Sequence, residues 1–201
     1  PSQQLFVMDD DGKNVEKIGH MNIGMALHPV VLKDGRIMFS TLESQGLRSS
    51  LLWGLWHIRP DGTDWGPIYS AFHTGGAPDA FHFQTQLSDG SIIAEQYYNQ
   101  NNSGFGSYHK LPPSPPEGVL AFGPAGVEAF TRFSPISDSE ADPSVLNDKG
   151  SARVGKFTHP SGAPDKHLLT VWSPGPVNHQ NGLKLPAADG GIYLIKNGNP
   201  I

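Results

Sequence analysis

Short β-forming segments that are interrupted by Asp-Gly pairs recur along this chain and limit what it can fold into. The Asp-Gly pairs begin at positions 11, 34, 61, 89 and 189, and residues 148–150 (DKG) are a looser sixth copy. Asp-Gly between two apolar runs is a strong hairpin signal, because Gly reaches a positive φ without steric cost and Asp tolerates it. The first three intervals are 23, 27 and 28 residues. We therefore expect consecutive antiparallel hairpins.

Composition favours the same fold class. The 201 residues include 24 Gly and 18 Pro, while 37% are hydrophobic and 16% are charged. This profile is typical of a turn-rich all-β domain and not of a helical one. Two hairpins in about 45 residues make one four-stranded blade of a β-propeller. The sequence predicts an all-β fold of four-stranded antiparallel blades, with no helix longer than two turns.

About three blades are expected, as a partial ring of a six- to eight-bladed propeller. Residues 1–20 would end one blade, 26–70 would form a complete blade, 80–135 a second blade with a Pro-rich insertion, and 140–201 a third, irregular blade. Because three blades do not close a ring, we expect the terminal strands to pair with the remaining blades of the same protein or with another chain. Strands of the third blade are expected at 142–146, 151–157, 167–173 and 191–195.

Several classes of function lack support. The formal charge is −5 and no Lys/Arg cluster is present, so a nucleic-acid surface is not expected. No apolar run is long enough to span a membrane, and no signal peptide opens this chain. The absence of Cys excludes a covalent haem site within these residues. Motifs for acyl transfer and nucleotide chemistry are also absent.

Histidines suggest a metal site. His28 and His82 lie six and seven positions before their Asp-Gly turns, and we interpret them as equivalent residues on the first strands of two blades. First strands line the channel of a propeller, so these two, completed by His73, are candidate ligands for a divalent metal. In the alternative, each imidazole hydrogen-bonds the backbone of a neighbouring blade and serves the repeat.

Two glutamates stand toward the ends of second strands. Glu43 and Glu95 are candidates for carboxylate ligands or general bases, and simple surface solvation is the alternative.

A polar loop at 99–106 departs most from the repeat, and it is either a surface crossing or a functional loop. A small polar ligand would be expected where this loop approaches His82, because Tyr and Asn side chains suit the recognition of such molecules. The candidate contacts are Glu95, Tyr97, Asn102, Gly104 and Gly106.

The repeats also resemble known proteins. Residues 5–14 (LFVMDDDGKN) and 28–39 (HPVVLKDGRIMF) resemble the repeats of TolB-type propellers. More specifically, residues 81–98 (FHFQTQLSDGSIIAEQYY) with 104–106 (GFG), and 154–156, 159–162 and 172–176 (VGK, HPSG and WSPGP), are similar to the propeller domain of the hydrazine synthase α-subunit family.

The resemblance implies a propeller scaffold or binding module of a larger periplasmic or otherwise extracytoplasmic protein. The alternative that it implies is a redox enzyme domain in which channel-end His and Glu residues hold a metal, or a haem attached elsewhere. The Cys-x-x-Cys-His haem motif of that family is missing here, so haem-dependent activity does not transfer to these residues.

Overall fold

The computed structural model of the protein describes residues 3–19, 24–43, 52–71, 80–96, 106–112, 127–131, 156–173 and 190–198. Within these ranges it contains thirteen short β-strands and one single-turn 3-10 helix at Pro164–Lys166. The expectation of an all-β fold without a long helix is therefore confirmed for the described residues. The strands are β1 (Phe6–Val7), β2 (Glu16–Lys17), β3 (Leu27–Val31), β4 (Ile37–Leu42), β5 (Trp53–Ile58), β6 (Gly66–Tyr69), β7 (Phe81–Gln86), β8 (Ile92–Gln96), β9 (Ser107–Leu111), β10 (Glu128–Ala129), β11 (Lys156–Gly162), β12 (Leu168–Ser173) and β13 (Gly191–Ile195).

The strands form four antiparallel sheets, which belong to two compact units. The first unit contains β1 to β6, as a two-stranded β1–β2 sheet and a four-stranded β3–β6 sheet. The second unit contains β7 to β13, as a four-stranded β7–β10 sheet and a three-stranded β11–β13 sheet. In each sheet the strands are hydrogen-bonded in chain order. The four-stranded antiparallel sheets expected from the hairpin spacing are thus present.

Four of the Asp-Gly turns have one common structure. The Gly has a φ between +80° and +91°, and its N–H donates to the carbonyl three residues earlier. We expected the Asp to tolerate a positive φ as well, but in these four turns the Asp has a negative φ. Its side chain instead accepts the backbone N–H two residues later, which satisfies a donor that the turn leaves free. These Asp-to-backbone pairs are Asp11 with Lys13, Asp34 with Arg36, Asp61 with Thr63, and Asp89 with Ser91.

The other two expected turns cannot be compared with these four. Asp189 and the segment 148–150 lie outside the described residues.

The first strand of each larger sheet has a β-bulge at the same place. Each bulge contains a non-Gly residue with positive φ, and the pairing register shifts across it. The bulge residue stands six positions before the Asp of the following turn. Bulged residues in left-handed conformation bend a strand and increase its twist, so the bulge is part of the repeat. The three bulge residues are His28 (φ 53°), Phe83 (φ 48°) and His159 (φ 51°).

This alignment corrects the expected equivalence of His28 and His82. The counterpart of His28 in the β7–β10 sheet is Phe83, and His82 corresponds to Leu27. Since successive side chains of a strand point to opposite faces, a shift of one residue changes the surroundings completely. The two histidines therefore do not occupy the same position of the repeat.

The β11 strand was not expected in this form. The prediction placed a strand at 151–157, whereas β11 runs from Lys156 to Gly162 and includes Pro160. Proline lacks an N–H and is normally avoided in a paired strand. Here it falls in the bulge, because the register passes from Thr158 directly to Ser161. The strands expected at 167–173 and 191–195 are confirmed as β12 and β13, while 142–146 lies outside the described residues.

Each unit has its own apolar core. In the first, residues of the β1–β2 hairpin and of the β3–β6 sheet pack together: Leu5, Ile18, Ala26, Phe39 and Ile58. In the second, side chains of both sheets meet: Leu87, Ile93, Tyr108, Phe130, Phe157, Leu168 and Ile195. Tyr108 is the polar member of this second core, and a buried phenol requires a hydrogen-bond partner. No helix in the described part of the chain is long and apolar enough to cross a membrane.

Candidate functional site

Three side chains with ionisable groups lie in direct register on neighbouring strands of the β7–β10 sheet. Glu95 of β8 stands opposite His82 of β7 and opposite Tyr108 of β9. Residues paired in this way project from the same face, with Cβ atoms about 4.5–5.5 Å apart. The exposed fraction is 0% for Glu95, 2% for His82 and 0% for Tyr108. We refer to His82, Glu95 and Tyr108 as the buried cluster.

The buried cluster departs from the repeat. The corresponding register positions of the other two large sheets carry no ionisable side chain. His82 and Glu95 therefore do not repeat a residue type of the corresponding positions in the other two large sheets. The corresponding residues are Leu27, Ser40 and Leu55 in the β3–β6 sheet, and Thr158, Val171 and Ile192 in the β11–β13 sheet.

The carboxyl group of Glu95 is buried without a hydrogen-bond partner among the described residues. Neither carboxyl oxygen makes a hydrogen bond to the described residues, although the side chain is completely buried. Burial raises the pKa of Glu95 well above its ordinary value. The nearby Thr158 hydroxyl and His159 backbone N–H oppose this pKa shift, but both lie outside hydrogen-bonding geometry. Because a buried unpaired carboxylate is very costly, burial favours the protonated form of Glu95.

Tyr108 connects the buried cluster to the β11–β13 sheet. Its hydroxyl lies 2.7 Å from Oγ1 of Thr170, and Thr170 Oγ1 lies 3.2 Å from the backbone carbonyl of Thr158. Burial raises the pKa of Tyr108 well above its ordinary value, the Glu95 carboxylate adds to the increase when it is ionised, and the bond to Thr170 opposes it. The phenol is therefore neutral and positions the two sheets.

A surface histidine lies beside the cluster. His159 Nδ1 is 2.9 Å from the Thr158 hydroxyl, and its ring centroid is 4.1 Å from that of Phe83. The two rings belong to the bulge residues of adjacent sheets. His159 is exposed at one side, and partial burial lowers the pKa of its imidazole. Thr158 thus stands between a buried carboxyl and an imidazole that reaches solvent.

Gly106 has a structural role in the second unit. Its N–H and its carbonyl both pair with the backbone of Phe157, at 2.8 and 2.9 Å. This bridge joins the start of β9 to β11, so the Gly106 backbone is already used. Tyr97, Asn102 and Gly104, the other loop residues predicted to contact a ligand, lie outside the described residues. The ligand site at this loop stays a prediction.

The metal site also stays a prediction. His28 belongs to the first unit and His82 to the second, while His73 lies outside the described residues. Among the described residues, no group of three or more His, Cys, Asp or Glu side chains is arranged to hold a metal ion.

Glu43 is a structural residue of the first unit. Its carboxylate accepts hydrogen bonds from Trp56 Nε1 at 2.6 Å, from Ser70 Oγ at 3.2 Å and from the Ala71 N–H at 2.5 Å. It therefore ties the end of β4 to β5 and to the end of β6. This network gives Glu43 a structural role that simple surface solvation does not describe, while its roles as metal ligand or general base stay predictions.

Tyr108, Thr158, His159 and Thr170 were missed by the sequence analysis. A usable signal existed, because His159-Pro160 precedes Asp165 by the same distance as His28-Pro29 precedes Asp34. That spacing would have aligned Thr158 with His82 as equivalent residues of their two sheets.

Comparison with known proteins supports a likeness of fold. No protein-family model matches the chain, and no curated protein matches it. Among solved structures, the chain is similar to Kuenenia stuttgartiensis hydrazine synthase, with a TM-score of 0.61 and 18% sequence identity. The match covers 90% of this chain and 19% of that chain. At this identity the likeness concerns the fold alone.

Proposed function

We propose that this chain is a β-propeller scaffold or binding module within a larger extracytoplasmic protein. The repeat of the sheets carries the proposal: each of the three larger sheets begins with a bulged strand, and the bulge stands six positions before an Asp in the next turn. The fold likeness to hydrazine synthase over 90% of the chain supports it. Repeated antiparallel sheets of this kind are the building units of propellers.

The same repeat indicates where other blades would pair with this chain. The β1–β2 hairpin turns at Asp11-Gly12 as the β5–β6 hairpin turns at Asp61-Gly62, so it corresponds to the third and fourth strands of a sheet. Among the described strands, β13 lies at the edge of the β11–β13 sheet, and its Ile192 is 79% exposed. We propose that other blades of a six- to eight-bladed ring, from the same protein or from another chain, cover these edges.

A second candidate function is a redox enzyme domain that holds a divalent metal, or a haem attached elsewhere. The observation that favours it is the departure of His82 and Glu95 from the repeat, since imidazole nitrogen and carboxylate oxygen are common metal ligands. One further ligand at least would have to come from His28, His73 or another residue. The extracytoplasmic location belongs to both proposals and rests on the resemblance to the hydrazine synthase α-subunit family.

The two functions are separated by metal analysis and an absorption spectrum of the purified chain. The scaffold or binding module predicts no stoichiometric metal and no haem spectrum. The enzyme domain predicts bound metal that is lost in His82→Ala. His109→Ala is the matched control, because His109 is also a buried histidine of the β7–β10 sheet but follows Tyr108 and projects from the opposite face.

The binding function has its own test, in which thermal shifts are measured against a panel of small polar molecules. A stabilising ligand whose effect is lost in Glu95→Gln and kept in Glu128→Gln would support the predicted ligand site. Glu128 is an exposed residue of the same sheet. A ligand that stabilises both variants equally would place its site elsewhere.

A further inference from the structure

The β11–β13 sheet exposes a face of aliphatic side chains. Leu169 of β12 pairs with Leu194 of β13, and Val171 pairs with Ile192, so these four side chains project from one face. The exposed fraction is 79% for Ile192, 44% for Leu194 and 42% for Leu169. One exposed aliphatic residue is ordinary, whereas several together on one face mark a contact surface. We refer to these four residues as the β12–β13 patch.

The position that Ile192 occupies is buried wherever another sheet covers it. Tyr108 holds this position in the β7–β10 sheet, as its register shows. Leu5 holds it in the β1–β2 hairpin, six residues before the Asp of the turn, as Leu55 does in the β3–β6 sheet. The exposed fraction is 0% for Tyr108 and 6% for Leu5, against 79% for Ile192. The repeat therefore uses this position for contact with another sheet.

In both units the covering surface is the next sheet along the chain. Leu5 shares a core with side chains of the β3–β6 sheet, and Tyr108 shares one with side chains of the β11–β13 sheet. The two covering surfaces use equivalent positions, so the same interface occurs twice. The equivalent pairs are Ala26 with Phe157, which precede the bulge by two residues, and Ile58 with Ile195 on the third strands.

We propose that the β12–β13 patch is a docking face for one more sheet of this repeat, the sheet that follows β13 in the polypeptide. Its contact surface would be apolar, with side chains at the positions equivalent to Phe157, Leu168 and Ile195. The burial of Leu5 and Tyr108 by the next sheet of the chain carries this assignment. The proposal rests on the proposed blade function and deepens it, because it names the surface and its occupant.

A second copy of the chain fits the patch less well. The matching faces of the β3–β6 and β11–β13 sheets are already covered by the β1–β2 hairpin and by the β7–β10 sheet. In the β7–β10 sheet the equivalent side chains Phe81, Ile92 and Leu111 are buried within one copy. The β1–β2 hairpin exposes Met8 but offers only a third and a fourth strand. Among the described residues, no sheet of a second copy is therefore free to cover the patch.

Thiol labelling of the full-length protein tests the proposal. The chain has no Cys, so Ile192→Cys adds a single thiol to it, and mass spectrometry of the peptide that holds residue 192 reads its labelling. In the native protein this thiol should react with a maleimide about 100-fold more slowly than the thiol of Lys196→Cys, because the interface must first open. Leu194→Cys repeats the measurement if Ile192→Cys does not fold.

Lys196 is the matched control, because it is exposed and follows β13 directly. Its counterpart in the β1–β2 hairpin is Asp9, since each stands four residues after the equivalent residues Ile192 and Leu5. Asp9 is exposed although the β3–β6 sheet covers Leu5. The thiol of Lys196→Cys should therefore stay reactive when the patch is covered.

Phe6→Cys separates failure of this proposal from failure of the proposed blade function. Phe6 is 59% exposed and projects from the face of the hairpin opposite to Leu5, which a closed ring would also cover. A reactive thiol at 192 with a protected thiol at 6 would overturn the docking face alone. Reactive thiols at both positions would overturn the blade function as well. Protection at 192 supports the docking face, whichever result position 6 gives.

The occupant is identified by photo-cross-linking, with p-benzoylphenylalanine placed at position 194 of the full-length protein. The expected cross-link lies within one molecule and joins position 194 to an apolar strand that comes after β13 and next to a hairpin turn. A cross-link to a second copy, or to a segment outside the repeat, would overturn the assignment of the next sheet as occupant.

Discussion

Glu95 lies directly opposite His82 in the antiparallel register of β7 and β8, and both side chains are buried. The same two register positions hold Ser40 and Leu27 in the β3–β6 sheet. An ionisable pair therefore replaces an alcohol and an aliphatic side chain inside an otherwise regular repeat. Because the β3–β6 sheet forms without an ionisable pair at these positions, His82 and Glu95 are the best candidates for functional residues.

Glu95→Gln should change how stability depends on pH. The pKa of Glu95 is raised above its ordinary value of 4.5, so the folded protein keeps a proton that the unfolded chain releases. Its contribution to the free energy of unfolding is complete below pH 4.5 and is lost as the pH rises toward the folded-state pKa. Gln mimics the neutral acid and should remove this loss. Urea melts at a series of pH values measure the difference between the two proteins.

The informative quantity is the difference in the free energy of unfolding between wild type and Glu95→Gln at each pH. Four turn carboxylates have lowered pKa values and add an opposite pH dependence to both proteins: Asp11, Asp34, Asp61 and Asp89. Glu128→Gln, at an exposed residue, is the control and should run parallel to wild type. Parallel curves for Glu95→Gln as well would contradict a neutral buried acid.

Tyr108→Phe should lower the free energy of unfolding by about 1–2 kcal/mol, because the 2.7 Å bond between its hydroxyl and Thr170 Oγ1 is lost in a buried site. Thr170→Val should cost a similar amount. The double variant should cost less than the sum of the two, by about 1 kcal/mol, because the same bond is removed twice. Additive losses in denaturant melts would show that the two hydroxyls do not interact.

Gly54→Ala should destabilise the first unit by about 2 kcal/mol or more through steric overlap. A Cβ at this position would lie 2.6 Å from the Tyr69 carbonyl oxygen and 2.6 Å from Glu43 Oε1, inside the network that joins β4, β5 and β6. Gly66→Ala on the neighbouring strand is the control, since its Cβ would meet nothing within 4 Å. Thermal melts should show a large loss for the first variant and little change for the second.

Gly35→Ala should cost about 1 kcal/mol for purely conformational reasons. The added Cβ would contact nothing within 4 Å, but the residue has a φ of +86°. Gly35→Asn should cost less, because Asn tolerates positive φ better than Ala does. If the two variants were equally stable in chemical denaturation, backbone strain would not control this turn.

The hairpins could be predicted because their chemistry is local. At Asp34-Gly35 the Gly supplies the positive φ and the Asp accepts the Arg36 N–H, and both effects act within three residues. The β11 strand escaped prediction because Pro160 normally marks a loop. Only the bulge, in which Pro160 needs no partner for an N–H, allows it in a paired strand.

Only part of the buried cluster could be predicted from the sequence, because only part of it depends on residue type alone. Glu95 and His82 stood out by residue type, but Tyr108 and Thr158 reach them only through cross-strand and inter-sheet register. That register is set by the bulges, and a bulge shifts which residues face each other by a single position. The wrong pairing of His28 with His82 came from treating distances of six and seven positions before the following turn as equivalent.

The proposed assignment of these sheets as propeller blades can be checked with an experimental structure of the full-length protein that contains this chain. We expect a closed ring in which β3, β7 and β11 are successive inner strands around one channel, with the β1–β2 hairpin and the β13 edge paired to other strands. A structure in which the sheets stack as a sandwich, or in which β13 is left open to solvent, would contradict it.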